Sequence, residues 1–189
     1  MNTSQPGKLP RRRMIAAGLG AVALTVPATR PAAARLVLSR GMLGGGLAQF
    51  GEPDDPMFAN FAMLGSALQM PDGKNLFIGQ LRWAEAGTGL VLTGDEIGQC
   101  SPIEGTDGAE VRGKVTRDGE TYYPFVAQIF DSGEPGAGED RIILQVNTPD
   151  AQQFYPDDPV LDDFVYDVEA TLIAGDLQWV IRDIDLDTL

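Results

Sequence analysis

Apolar and polar residues alternate with a period of two along much of the chain after residue 75, which is the pattern of half-buried β-strands. In the segment 76–83, Phe77, Leu81 and Trp83 fall on one side of such a strand, while Gln80 falls on the other. A strand of this kind buries one face and leaves the other in water. We therefore expect a sheet with one side packed against a core.

The clearest hairpin lies between residues 111 and 129. Val111 and Val115 alternate with polar residues, and the chain then reaches Asp118-Gly119, a dipeptide typical of tight β-turns. The next segment carries four apolar residues at alternate positions, namely Tyr123, Phe125, Ala127 and Ile129. These residues predict two antiparallel strands that share one inward row.

Further strands are predicted on both sides of this hairpin. The alternation continues over 142–146 and 164–172, and a last hairpin is expected to turn at 174–176 before the final strand. Towards the N-terminus, 61–68 is predicted as a strand and 44–46, three glycines, as a flexible loop. No segment of a dozen residues keeps helical spacing without Gly or Pro, so we expect little helix.

Eight or nine short strands separated by Gly, Pro and Asp turns predict a single all-β domain. The expected architecture is an antiparallel sandwich of the immunoglobulin-like kind, and a small closed β-barrel is the alternative. The domain spans residues 35–189 and ends in an acidic tail, a length that suits one hydrophobic core.

Residues 1–34 resemble a twin-arginine export signal. Paired arginines within Arg11–Arg13 precede the apolar run 14–26, which is too short to cross a bilayer, since that needs about 20 residues. Arg30 then stands before Ala32-Ala33-Ala34, a small-residue cleavage site, and we expect cleavage after Ala34. The resemblance implies an exported protein, extracellular or in the cell envelope, whose signal peptide engages the twin-arginine export machinery.

The charge of the expected mature chain excludes several classes of partner. The whole chain carries 14 basic and 27 acidic residues, and five of the basic residues precede residue 35. The remainder therefore has a net charge of −18, which repels nucleic acid and anionic membrane surfaces. We expect no nucleic-acid binding and no membrane span, and a ligand, glycan or protein outside the cell as the partner.

The chain contains no histidine and a single cysteine, Cys100. The missing histidine removes Ser-His-Asp and Cys-His nucleophilic sites and the usual zinc ligand. One cysteine cannot form a disulfide within the chain, and free cysteines are usually buried, so we predict that Cys100 is a buried structural thiol.

The segment Phe130 to Asp140 contains Asp131-Ser132-Gly133-Glu134-Pro135-Gly136-Ala137-Gly138 between two predicted strands. This run resembles the D-x-G-E-P-G-x-G hairpin of a family of small secreted bacterial β-sandwich domains, largely of unknown function. Weaker similarities extend the resemblance over residues 43 to 182, with a departure at Ala174 and Asp176 in the closing turn. The resemblance implies the fold and the compartment, and it implies no catalytic residues.

Clustered acids are the best candidates for a metal site. Asp157, Asp158, Asp162 and Asp163 lie close together in the sequence. Ca²⁺ takes six to eight oxygen ligands, which such a cluster supplies, so calcium is the one cofactor we consider. Aspartate also favours turns, and the alternative is that these acids only keep a loop in solution.

The aromatic residues offer a second kind of site. Carbohydrate-binding sandwiches stack sugars on exposed aromatic rings, for which Tyr122, Tyr155 and Trp83 are the candidates. The alternation places Trp83 and Trp179 on the apolar faces, where burial is expected, and leaves Tyr122 as the best exposed ring.

We name no catalytic residue, because no pattern singles out two of the many acids. The leading hypothesis is an exported, non-enzymatic binding or structural module, in its sharpest form a calcium-assisted carbohydrate or cell-surface binding protein. The alternatives are a hydrolase with a pair of carboxylates and a β-barrel that encloses a small apolar ligand.

Overall fold

The computed structural model describes residues 38–70, 72–132, 140–158 and 162–182. These residues form eight strands and one short helix, in the order β1 (Leu38–Glu52), β2 (Asp55–Gln69), β3 (Asn75–Glu85), β4 (Val91–Ile103), β5 (Gly108–Thr116), β6 (Tyr122–Phe130), β7 (Arg141–Val146), α1 (Pro149–Phe154) and β8 (Tyr166–Arg182). The predicted export signal, residues 1–34, lies outside the described residues.

Every strand pairs antiparallel with the next along the chain, and β8 pairs with β1 to close the sheet into a barrel. The prediction of an all-β antiparallel fold is confirmed. The prediction of a sandwich is wrong, and the alternative of a small closed barrel is right. The reason is the long β1–β8 pairing, which runs from Ser39↔Arg182 to Gln49↔Thr171 and leaves no gap between two separate sheets.

The predicted hairpin turn at 174–176 is wrong, because β8 continues through these residues. Leu47 pairs with Ala174, but its neighbour Ala48 pairs with Leu172, so Ile173 is an extra residue in β8. This β-bulge bends the strand without reversing it.

The predicted glycine loop at 44–46 is also wrong, since these residues lie in the middle of β1. A Cβ atom at Gly46 would lie 1.9 Å from the carbonyl oxygen of Ala174, and one at Gly44 would lie 2.1 Å from that of Asp176. Only glycine allows β8 to approach β1 this closely, so the glycines serve barrel closure.

The barrel interior holds the predicted apolar rows. Among the largest fully buried side chains are Trp83, Tyr123, Phe125, Met42, Leu81 and Ile129. The hairpin turn at Asp118-Gly119 is confirmed between β5 and β6, which pair from Gly108↔Phe130 to Thr116↔Tyr122. Cys100 is buried and unpaired, as predicted, and burial raises the pKa of its thiol to about 11.

The connection from β7 to β8 carries α1 and lies partly on the outside of the barrel. Thr148 caps α1 by accepting a hydrogen bond from the backbone N–H of Ala151, at 3.3 Å. Asn147 precedes the cap with φ +57°, and its side-chain amide donates to the carbonyl oxygen of Phe164 at 2.7 Å. One buried side chain thus joins the start of this connection to its end.

Candidate functional site

A surface cleft lies where β1 and β8 part. The two strands pair as far as Gln49↔Thr171, and beyond that pair neither has the other as a neighbour. The cleft has a volume of about 380 Å³. It is lined by Gln49, Phe50, Gly51, Pro53, Glu169, Thr171 and Ile173. Ile173 is the bulge residue, so the irregularity that bends β8 also shapes the cleft, as bulges beside binding sites often do.

The cleft combines hydrogen-bonding groups with apolar surface. The amide of Gln49, the hydroxyl of Thr171 and the carboxylate of Glu169 provide both donors and acceptors. Phe50, Pro53 and Ile173 provide apolar surface beside them. This combination suits a small ligand that has hydroxyl groups and apolar C–H faces.

The carboxylate of Glu169 already has a partner. Arg141, on the neighbouring strand β7, donates to its Oε1 at 3.0 Å. Both side chains are largely exposed, so the pair contributes little to stability but holds the carboxylate at the edge of the cleft.

Phe50 connects the cleft to an aromatic cluster inside the barrel. Its ring lies 5.6 Å from that of Trp83, and the Trp83 ring lies 6.4 Å from that of Tyr166. Phe61 meets Trp83 edge-on at 6.1 Å. The floor of the cleft therefore rests on packed rings, which hold it in place.

The hydroxyl of Tyr166, on β8, donates to the carboxylate of Glu85, on β3, at 2.5 Å. Burial and then this hydrogen bond raise the pKa of Tyr166 above its ordinary value. Nearby, the indole N–H of Trp83 is buried and has no hydrogen-bond partner among the described residues. The hydrogen bond from Tyr166 to Glu85 links β8 to β3, two strands that are not neighbours in the sheet, and so braces this end of the barrel.

The structure gives separate partners to two of the four predicted calcium ligands. The carboxylate of Asp158 lies 2.9 Å from Nζ of Lys114. Asp162 accepts a hydrogen bond from the hydroxyl of Tyr123 at 2.9 Å and lies 3.6 Å from the guanidinium of Arg117.

The other two, Asp157 and Asp163, are exposed. Within the described ranges, no three acidic or thiol side chains are grouped to hold a metal ion. Residues 159–161, which separate Asp158 from Asp162 in the chain, lie outside the described ranges. Calcium binding therefore stays a prediction.

The aromatic predictions divide into two kinds. Tyr122 is 42% exposed and Trp83 is fully buried, as expected. Tyr155 is half-buried against the outer face of β4, so it is not a free ring for stacking. Tyr122, Trp83 and Tyr155 therefore do not form a flat, exposed platform of aromatic rings.

The hairpin that carries the family resemblance lies largely outside the described residues, which omit 133–139. At its end, Asp140 is buried and accepts hydrogen bonds from the backbone N–H groups of Ser132, at 3.1 Å, and Leu177, at 3.0 Å. Asp140 thus links Ser132 to β8.

Sequence reasoning missed the residues of the cleft. Gln49 and Thr171 are ordinary outward residues of their strands, more than a hundred positions apart, and no local pattern marks either. Only knowledge of the β1–β8 pairing would have brought them together.

Comparisons with known proteins add no relative: no family model, no curated protein and no solved structure matches this chain. The family resemblance inferred from residues 130–140 therefore stays a prediction. Among the described residues, no helix has the length and apolar character needed to cross a membrane.

Proposed function

We propose that this chain is an exported, non-enzymatic module that binds a neutral carbohydrate in the β1–β8 cleft. The observation that carries the proposal is the cleft itself, in which Gln49, Thr171 and Glu169 stand beside Phe50, Pro53 and Ile173. Sugars present hydroxyl groups that both donate and accept, together with C–H faces that pack on apolar side chains.

The size of the cleft supports a small ligand. Its volume of about 380 Å³ falls at the lower end of the range of ligand pockets, about 300–1,000 Å³. The large buried side chains inside the barrel, including Trp83, Tyr123 and Phe125, favour this outer site over an apolar ligand enclosed by the strands.

The charges favour a neutral sugar. The chain has a net charge of −13, and −18 without residues 1–34, so an anionic glycan would be repelled. Glu169 faces the cleft as a hydrogen-bond acceptor for hydroxyl groups rather than as a partner for an anion.

Binding is favoured over hydrolysis because of the acids at the site. Glycoside hydrolysis by the common mechanisms needs two carboxyl groups about 5–9 Å apart. Among the described residues that line the cleft, Glu169 is the sole carboxylate, and Arg141 holds it in an ion pair.

The proposal is tested by titrating the isotopically labelled chain with the methyl glycosides of glucose, galactose, mannose and N-acetylglucosamine at millimolar concentrations. We expect at least one of them to shift the backbone NMR signals of residues 49–53 and 169–173. Thr171→Val should weaken that binding about 2- to 10-fold, because it removes one hydrogen bond.

Thr93→Val is the matched control, since Thr93 is also an exposed strand threonine but lies on β4, away from the cleft. It should leave the affinity unchanged. Signals that stay in place with all four glycosides, or a Thr93→Val variant that weakens binding as much as Thr171→Val, would refute the assignment of the site.

A further inference from the structure

The first half of β3 has a free edge among the described residues. β3 pairs with β2 along its whole length, from Gln69↔Asn75 to Ala59↔Glu85. Its pairing with β4 is much shorter and covers only Leu81↔Gly94 to Ala84↔Val91. Residues 75–80 therefore present backbone N–H and C=O groups on the side away from β2 without a strand beside them.

Two irregularities in β4 account for this edge. The register of β4 against β5 shifts between Thr93 and Glu96 and again between Ile97 and Gln99. Beyond these bulges, the thiol of the buried Cys100 lies 3.5 Å from the carbonyl oxygen of Gly65 on β2. The second half of β4 therefore pairs with β5 and contacts β2, whereas its pairing with β3 ends at Gly94.

The free edge lacks the features that usually protect such strands. Residues 75–80 contain no charge and no proline. Leu76 is 51% exposed and Ile78 is 46% exposed, both on the outer face. In a chain of net charge −13, an uncharged apolar edge is a place where the contact itself adds no like-charge pairs between two acidic copies.

We propose that this edge is a homodimer interface, in which β3 of one chain pairs antiparallel with β3 of a second copy around a two-fold axis. Side chains alternate between the two faces of a strand. The outer faces of the two β3 strands therefore lie on the same side only if each pair of opposed residues has two even or two odd numbers, which means that the two numbers add to an even sum. Centring the axis on Phe77 meets this condition. It places Leu76 of each chain opposite Ile78 of the other, an apolar cross-strand pair on the outer face.

The pairing can extend no further than Gln80, because β4 lies along the same edge from Leu81 onwards. A short strand interface of this kind is smaller than that of a permanent dimer, so we expect dissociation in the micromolar range.

Sedimentation equilibrium of the full-length chain over a range of micromolar concentrations tests the proposal. The expected result is a reversible rise from 20.2 kDa to twice that mass. Ile78→Lys should raise the dissociation constant at least about tenfold, because a lysine on an edge strand opposes strand pairing. Thermal unfolding of the variant checks that the barrel still forms.

Leu43→Lys is the matched control, because Leu43 is 52% exposed on the same outer face but lies on β1, away from the free edge. It should leave the dissociation constant unchanged. A chain that is monomeric at every concentration overturns the proposal, as does an Ile78→Lys variant that associates like the original. A monomer whose residue 75–80 amides are protected from hydrogen exchange also overturns it, since the edge is then covered within the chain.

Discussion

The hydroxyl oxygen of Tyr155 lies 2.6 Å from the position that a Cβ atom would take at Gly98, and the ring of Phe154 lies 3.1 Å from it. Gly98 is in β4, and the two aromatic residues are at the end of α1. The missing side chain therefore leaves room for the connection to lie against the outer face of the barrel. Lys114 completes the contact, with Nζ 4.8 Å from the centre of the Tyr155 ring.

Gly98→Ala should destabilise the chain by about 1–3 kcal/mol, because an added methyl group in a filled site forces its neighbours to move. Urea unfolding followed by circular dichroism measures the change. Tyr155→Phe alone should cost little, because the buried hydroxyl of Tyr155 has no hydrogen-bond partner among the described residues.

The double variant Gly98→Ala/Tyr155→Phe separates this contact from a general effect of alanine on the strand. Removing the hydroxyl relieves the closest overlap, since the next ring atom of Tyr155 is 3.6 Å away. We expect the double variant to recover part of the lost stability. If the change in unfolding free energy of the double variant equals the sum of the changes in the two single variants, Gly98 and Tyr155 do not interact in this way.

Asn147 provides a second test of the same connection. It adopts φ +57°, and its side-chain oxygen also accepts a hydrogen bond from Gln152 at 3.0 Å. Asn147→Gly keeps the backbone conformation but loses the side-chain bonds, and should cost about 1–3 kcal/mol. Asn147→Ala also places a methyl group in the left-handed region and should cost a further ~1–2 kcal/mol. Denaturant midpoints rank the two variants, and an alanine variant as stable as the glycine variant contradicts this account.

The strand pattern was predictable where one face of a strand is buried and the next turn is local. The hairpin around Asp118-Gly119 meets both conditions, because the inward row and the turn residues are adjacent in the sequence. The path of β8 was not predictable in this way. In the sequence, Gly175 is typical of a turn glycine. In the structure it lies beside Gly45 on β1, whose carbonyl oxygen would be 2.2 Å from a Cβ atom at Gly175.

The candidate sites show the same limit. The acids at 157–163 are visible in the sequence, but the cations that contact two of them, Lys114 and Arg117, come from β5 and the turn after it. The cleft depends on a register between the first and last strands. Alternation predicts which residues face outwards and does not predict which outward residues meet.

Alkaline pH should destabilise the fold. Burial raises the pKa of Tyr155 to about 12, with further increases from Glu96 and Asp158, and it raises that of the Cys100 thiol to about 11. Tyr166 shifts in the same direction because of burial and its bond to Glu85. The folded chain therefore holds protons that the unfolded chain releases, so stability present at pH 8 is lost as the pH rises above about 9.

Urea midpoints measured from pH 8 upwards test this pH dependence, and Tyr155→Phe should reduce the loss. The comparison variant is Tyr122→Phe, which removes a hydroxyl from an exposed tyrosine. A midpoint that rises with pH in this range would contradict the direction of all three shifts.

Calcium binding at Asp157, Asp158, Asp162 and Asp163 predicts a higher thermal midpoint in excess Ca²⁺ than in chelator. A ligand at about 100 times its dissociation constant adds roughly 2.7 kcal/mol, or about 5–10 °C in a domain of this size. Because Lys114 and Arg117 contact two of these carboxylates, the ion would have to displace both cations.

Lys114→Met should therefore increase the calcium-dependent shift, whereas Asp157→Asn/Asp163→Asn should abolish it. Asp95→Asn removes an exposed acid from β4 and serves as the control for net charge. If the midpoint is the same in Ca²⁺ and in chelator, these four acids are not a calcium site, and Asp158 and Asp162 serve only in their contacts with Lys114, Tyr123 and Arg117.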